Sequence, residues 1–275
     1  MTLQIGIVNL MPRAETYEAT LCRALAAAGL AFEPVWLRLQ TPAYASSDRA
    51  HIERVYLPLA AALDNARLDG LIISGAPVED LAFEAVTYWP ELSEQLRRAR
   101  TRVASTLGLC WGGMALAQLL GVDKITFEQK LFGVYALDAH IADHPALRHR
   151  HGPLLCPQSR HSGLDPLSLA AAVAHGGVRL IAGSEAAGEV IVESTDRRYL
   201  IHTGHPEYEA ERLASEYRRD RAAGRSDVGA PHAYDVEHPL ATWEHASAAF
   251  FRGWLEGLST KHFASVSSAV QHAVK

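Results

Sequence analysis

The chain reads as an α/β protein built on a doubly wound, mostly parallel sheet. Three observations predict this. Apolar, β-compatible runs alternate with helical patterns through the first 110 residues, the signature of a parallel sheet with crossover helices. Two of these runs end in sharp glycine turns, Gly75-Ala76-Pro77 and Cys110-Trp111-Gly112-Gly113. No internal repeat or linker divides the chain, so residues 1–258 are expected to form one domain. Open parallel sheets place their sites outside the C-terminal ends of the strands. The two glycine turns are therefore expected to be neighbours.

Taken in order, Leu3–Leu10 (LQIGIVNL) suits a buried strand and Met11-Pro12 ends it. Glu15–Ala28 follows as a helix with Leu21, Leu25 and Ala28 on one face and Gly29 just past its end. Ala31–Leu39 is a second strand, 42–49 a loop, and His51–Ala66 a weak helix interrupted by Pro58. Leu68–Ser74 is a third strand, and Tyr88–Arg102 an amphipathic helix whose basic end complements the helix dipole. An apolar run then leads to Cys110, and a helix over 114–120 is closed by Gly121. Beyond it, Lys130–Tyr135 and Leu137–Ile141 read as short strands and Leu154–His161 as a polar segment. Val178–Gly183, Gly188–Ser194 and Tyr199–Thr203 are three more strands. Ala210–Ala223 is a helix closed by Gly224, and 225–239 a loop. Ala241–Leu258 is the last core helix, and the Ser/Ala-rich residues 259–275 are expected to be a flexible tail.

Composition narrows the function. A net charge of −5 argues against non-specific nucleic-acid binding, which needs a basic face. Three cysteines, Cys22, Cys110 and Cys156, are too few and too odd in number for a disulfide framework and suit a reducing cytoplasm. The N-terminus lacks the charged start and long apolar core of a signal peptide, and no run reaches the ~18 apolar residues of a membrane helix. The 14 histidines fall into no metal-binding spacing, so no metal is expected.

Cys110 stands at a strand–turn–helix junction, the geometry that lifts a nucleophile out of a sheet. The following helix aims its dipole and free N–H groups at the sulfur, favouring thiolate and offering donors to an oxyanion. A cysteine taken at random is more often a buried core residue; the two glycines after this one reverse that reading. A nucleophile needs a base, and the base an orienter. His205 follows the strand Tyr199–Thr203 directly, with Glu207 two residues on and Pro206 stiffening the bend. That turn can lay the carboxylate on the imidazole.

Cys, His and Glu in this chain order on an α/β sheet resemble the class I glutamine amidotransferase superfamily, which implies a flavodoxin-like fold. IGIVNLMP (5–12), GLIISGAPVE (70–79), CWGG (110–113), KLFGVY (130–135), PQSRHS (157–162), GHPEY (204–208) and LASEYRRD (213–220) narrow this. Together, from about residue 4 to 258, they resemble homoserine O-acyltransferases of the MetA type, the acetyl- or succinyltransferases that open the methionine branch. The resemblance implies ping-pong acyl transfer from acetyl-CoA or succinyl-CoA as co-substrate, with no bound cofactor, in a homodimer. Cys110 would carry the acyl group, with His205 as the base and Glu207 as its orienter. The main-chain N–H groups of Ala76 and Trp111 would form the oxyanion hole. Lys130 and Ser159 would line the acyl and acceptor pocket, and Arg219 would grip the acceptor carboxylate, with Glu216 one turn before it. Without the resemblance, Glu216 and Arg219 read as a plain surface pair. Glu79 stands where the family selects the acyl group: glycine there leaves room for succinyl, whereas glutamate fills the pocket and repels its carboxylate. That points to acetyl-CoA.

The chain departs from the family pattern in two places. Gly113-Met114 replaces Ala-Gln after Cys-Trp-Gly, and Thr242-Trp243-Glu244-His245-Ala246 replaces Thr-Trp-Arg-Ser-His. The second exchanges a positive for a negative charge and opens the reading to a different amino-acid or amino-alcohol acceptor. Two further alternatives are a Cys-His-Glu amidohydrolase or amidotransferase on the same fold, tested by ammonia release from glutamine, and a non-catalytic binding protein. The intact set Cys110, His205 and Glu207 argues against the last.

Overall fold

The computed structural model describes residues 2–41 and 47–272, with side chains to Ser259. Most of the loop expected at 42–49, and the end of the tail at 273–275, lie outside the described residues. Among the described residues ten strands form one sheet, in the order β3-β2-β1-β4-β5-β10-β9-β8-β6-β7. Its first half is β1 (Leu3–Val8), β2 (Phe32–Arg38), β3 (Leu57–Pro58), β4 (Gly70–Ile73), β5 (Ser105–Leu109) and β10 (Tyr199–His202), all parallel. The second half, β6 (Lys124–Ala139), β7 (Leu154–Leu164), β8 (Val178–Ser184) and β9 (Gly188–Ser194), is antiparallel. The sheet is thus mixed, with the doubly wound parallel part the sequence predicts at one side.

The helices are α1 (Ala14–Ala26), α2 (Arg49–Val55), α3 (Leu59–Asn65), α4 (Trp89–Arg102), α5 (Trp111–Gln118), α6 (Pro166–Ala174), α7 (Ala210–Ala222) and α8 (Glu244–His272). Two apolar clusters cover the two faces of the sheet. One packs α1 and α8 on it through Leu21, Leu25, Phe250, Phe251 and Trp254. The other packs α3, α4 and α5 through Leu63, Leu92, Leu96, Trp111 and Met114. Among the described residues no helix is long and apolar enough to cross a membrane.

Four expectations are corrected. The two short strands expected at 130–141 are one long strand, β6, bent by an irregularity in its pairing between Thr126 and Leu131. Leu154–His161, read as a polar segment, is the buried strand β7, paired with β6 along Leu154–Leu164. Its inward side chains are polar, so the apolar alternation that marks a strand is missing. The helix α6 has no counterpart in the sequence reading; its start is marked by Asp165, whose carboxylate accepts from Ser168 N at 2.8 Å, and by Pro166. The last helix begins at Glu244, not Ala241, and its backbone runs on past Leu258 to His272.

The approach of α5 to the sheet leaves no room for side chains. A Cβ on Gly112 would collide with the Ile73 carbonyl oxygen and lie 2.6 Å from that of Ser74. One on Gly108 would meet Gly113 Cα at 2.6 Å. These glycines let the helix begin immediately after Cys110, with no spacer. Gly112→Ala is expected to lower stability by about 1–3 kcal/mol through backbone overpacking, read as an earlier midpoint in denaturant unfolding.

Candidate active site

Cys110 is the residue between β5 and α5. Its φ is 49° and ψ is −116°, a conformation that L residues rarely adopt and that costs about 1–3 kcal/mol. Two backbone hydrogen bonds hold it there: Cys110 N donates to His202 O at 2.8 Å, and Met114 N to Cys110 O at 3.1 Å. The side chain is buried beneath the Gly75 turn, where a Cβ on Gly75 would lie 3.5 Å from Cys110 Cβ and 3.7 Å from His205 Cε1. The Gly75-Ala76-Pro77 turn, the cysteine and the histidine therefore meet at the C-terminal ends of β4, β5 and β10.

His205 sits one turn past β10 and is buried. Its backbone N–H donates to Pro157 O at 2.9 Å, which ties the turn to β7. Its Nδ1 lies 2.9 Å from Glu207 Oε1, leaving Nε2 as the other ring nitrogen. The ring of Tyr208 stacks on the imidazole, with centroids 4.1 Å apart and planes 20° apart. Burial alone would push the imidazole down. The Cys110 sulfur and the Glu207 carboxylate, each in electrostatic and hydrogen-bond contact with it, outweigh burial and hold His205 well above the ordinary histidine range. The arrangement favours an imidazolium beside the sulfur.

Glu207 is almost fully buried, and its Oε2 has no hydrogen-bond partner among the described residues. Its other oxygen also receives the Tyr17 hydroxyl at 3.5 Å. Tyr17 comes from α1, and Arg23 of the same helix pairs with Glu209. The first helix therefore backs the 205–209 turn.

Beside this group lies a second, charged one. Glu216 on α7 is buried and engaged at both oxygens. Oε1 accepts from Tyr208 OH at 2.9 Å and Arg212 Nε at 2.8 Å; Oε2 accepts from Ser159 Oγ and lies 3.5 Å from Lys130 Nζ. Lys130 is closer to Asp220, at 2.8 Å. Burial opposes ionisation of Glu216, but Arg212 and then Lys130 and Ser159 overcome it and pull its pKa down to about 2. Tyr208 thus links Glu216 to His205, with its ring on one and its hydroxyl on the other.

Of the residues the sequence singles out, Cys110, His205 and Glu207 are brought together, and Lys130, Ser159 and Glu216 form the adjoining cluster. Arg219 is not in it: its side chain is 62% exposed and pairs with Asp220 at 2.7 Å. The guanidinium on Glu216 belongs to Arg212, which the sequence reading missed although its four-residue spacing from Glu216 is a helix-pair signal. Glu79 lies across the site against His161 of β7. Glu244 and His245 are exposed at the start of α8, while their neighbour Trp243 is buried and donates from Nε1 to Tyr208 O at 3.0 Å. Among the described residues no group of three or more His, Cys, Asp or Glu could hold a metal ion.

A model of the homoserine O-succinyltransferase family matches residues 1–262. The chain belongs to that family. It is 34% identical over 259 residues to the homoserine O-acetyltransferase of Geobacillus sp. (strain WCH70), covering 92% of this chain and 84% of the relative. It is equally 34% identical, over 257 residues and with the same coverage, to that of Bacillus subtilis (strain 168). Solved structures share the fold at low identity. A glutamine amidotransferase from Thermotoga maritima superposes with a TM-score of 0.58 at 15% identity, over 94% of this chain and 98% of the other. One from Methylobacillus flagellatus gives 0.56 at 15%, over 93% and 94%. The family member thus carries its Cys, His and Glu on the architecture of the amidotransferases.

The buried Glu216 carboxylate has a titration consequence. Its folded pKa lies below its ordinary value of 4.5, so its stabilising contribution is full above that value and is lost as pH falls from about 4.5 to about 2. Glu216→Gln is expected to cost about 3 kcal/mol near neutral pH, with the difference from the parent shrinking as pH falls below about 4.5 toward about 2 in urea unfolding.

Proposed function

We propose that the protein transfers an acyl group, acetyl in preference to succinyl, from acyl-CoA to the hydroxyl of L-homoserine by way of a Cys110 acyl-enzyme. The observation that carries this reading is the strained Cys110 at the N-terminus of α5, with a raised His205 held against it by Glu207.

The Cys110 sulfur attacks the thioester carbonyl. Negative charge then gathers on the carbonyl oxygen, where the N–H groups of Ala76 and Trp111, at the two glycine turns, are the available donors. The tetrahedral adduct collapses with loss of CoA, whose sulfur takes the His205 proton. The neutral imidazole, held in one tautomer by Glu207, next removes the proton from the acceptor hydroxyl as that oxygen attacks the acyl-cysteine. Loss of the Cys110 thiolate releases the O-acyl product and restores the starting pair.

The Lys130–Ser159–Glu216 cluster lies beside the imidazole and suits the amino-acid end of the acceptor. Arg219 is assigned to the acceptor carboxylate. Its guanidinium is open to solvent with Asp220 as its partner, so it is free to fork onto an incoming carboxylate. Arg212 cannot take that role without stripping Glu216 and Tyr208 of a buried partner. The acetyl preference follows from Glu79, which places a carboxylate where a succinyl group would bring its own. The free cysteines fit the cytoplasm, and the family resemblance implies a homodimer at the opening step of methionine biosynthesis.

Intact mass after brief mixing with acetyl-CoA tests the reading. One acetyl group should appear, be discharged by homoserine, and be absent from Cys110→Ala. An adduct that homoserine leaves in place would redirect attention to another acceptor, as the exposed Glu244 allows. No adduct from acetyl-CoA or succinyl-CoA, with ammonia released from glutamine, would turn the reading to an amidohydrolase. In steady state, Arg219→Ala should raise the homoserine KM by about ten- to a hundredfold, the worth of a charge-assisted pair, while leaving the rate of Cys110 acylation unchanged.

A further inference from the structure

A second cluster of titratable side chains gathers where the loop after β4 meets β7. Glu79 Oε2 accepts from His161 N at 2.9 Å, and its Oε1 faces His161 Nδ1 at 3.4 Å. The other ring nitrogen of His161, Nε2, lies 2.9 Å from Asp227 Oδ2, and Asp227 is gripped by Arg225 through Nε at 2.8 Å. The backbone of Glu79 is pinned as well: its carbonyl accepts from Ser162 Oγ at 2.8 Å and from the Lys124 ammonium. Glu79 is thus fixed in place by main-chain contacts, while the ring beside its carboxylate is an imidazole held between two carboxylates.

We propose that His161, oriented by Asp227, is the counter-ion that sets the charge Glu79 presents to the acyl donor, and so determines how strongly an anionic acyl group is refused. The inference rests on the reading of Glu79 given above. Its physical content is a division of labour: the His161 backbone N–H positions the Glu79 carboxylate, and the His161 ring governs its charge. The hydrogen bond that its ring gives to Glu79, supported by Asp227 and opposed by burial, holds His161 above the ordinary histidine range. The charged groups facing the imidazole are Glu79 and Asp80 from the loop after β4, Lys124 at the start of β6, Asp227 and Arg225 from the segment after α7, and Arg160 on its own strand. The imidazole is the side chain type whose ordinary range lies nearest neutral pH. As an imidazolium it offsets the charge of Glu79; once neutral it leaves that charge to the more distant cations Lys124 and Arg160, and the carboxylate presents more of its negative charge.

The test compares butyryl-CoA with succinyl-CoA, acyl groups of the same chain length that differ by one charge. Rates of Cys110 acylation, read by intact mass, are taken from pH 6 to pH 9, with inhibition of acetylation giving the same ratio where a donor reacts too slowly. The pH response of the nucleophile and its base and the CoA phosphates are common to both donors and cancel in the ratio. In the parent protein the preference for butyryl should rise about tenfold with pH, the effect of one added charge at short range. His161→Asn, which keeps the backbone N–H but cannot titrate, should give a high, flat preference. Asp227→Asn should move the rise to lower pH, a displacement that a merely structural role would not produce. A flat preference in the parent protein, or a rise that persists in His161→Asn, overturns the proposal. Glu79→Gln keeps the two failures apart: a preference that vanishes in Glu79→Gln but ignores pH in the parent sinks the role of His161 alone. A preference untouched by Glu79→Gln sinks the reading of Glu79 itself.

Discussion

The close packing of α5 against the ends of β4 and β5 is the constraint on which the rest of the site depends. Because Gly108, Gly112 and Gly113 carry no side chains, the helix can start one residue after the strand ends. The chain must turn within a single residue, and that residue is Cys110, at positive φ. A strained cysteine is tolerable only where its surroundings over-determine it, and here a sheet bond to His202 and a helix bond from Met114 do so. The same turn sets the cysteine at the N-terminal end of the helix, beside His205.

The rest of the machinery reaches Cys110 through layers of support. His205 is fixed by Glu207, by the Tyr208 ring and by a backbone bond to β7. Tyr208 is held in turn by Glu216 through its hydroxyl and by Trp243 through its carbonyl. Glu216 is kept ionised by Arg212 and Lys130 in a buried setting where an unpaired carboxylate would be protonated. A charge placed on α7 therefore acts on the imidazole through one intervening ring, and the Glu216 cluster and the His205–Glu207 pair form one continuous network.

Much of this was legible in the sequence, and the parts that were not share a cause. The parallel half of the sheet was readable because its strands are apolar on both faces and its turns carry glycine. Cys110, His205 and Glu207 were readable because each follows a strand that could be recognised. β7 was not, since Gln158, Ser159, Arg160, His161 and Ser162 are polar residues buried inside the site, and burial of that kind defeats a rule based on apolar alternation. Arg212 was hidden for a related reason. On a helix as charged as α7, the four-residue spacing of Arg212 from Glu216 is one pairing signal among several; Ser159, Tyr208 and Lys130, brought in from other elements, decide that Glu216 is buried and that Arg212 must accompany it.

That same hidden strand joins the two ends of the proposed reaction. Ser159 faces the Glu216 cluster and His161 faces Glu79, with Arg160 between them, buried and bonded to Gln158 and to the carbonyls of Ser162 and Ala187. The segment after α7 closes the circuit: Asp227 holds His161 with its side chain and accepts from Lys130 N with its carbonyl at 2.9 Å, while Lys130 reaches Asp220 and Glu216. The Glu216 cluster and the Glu79 contact are thus built on alternate residues of one strand and latched by one loop. A substitution in the segment 225–227 would disturb both, whereas the Cys110 turn, which rests on glycine packing at the far side of the sheet's C-terminal edge, would keep its shape. The contacts of the 225–227 latch are thus distinct from the glycine packing that fixes the backbone at Cys110, although Glu216 and His205 still share one network through Tyr208.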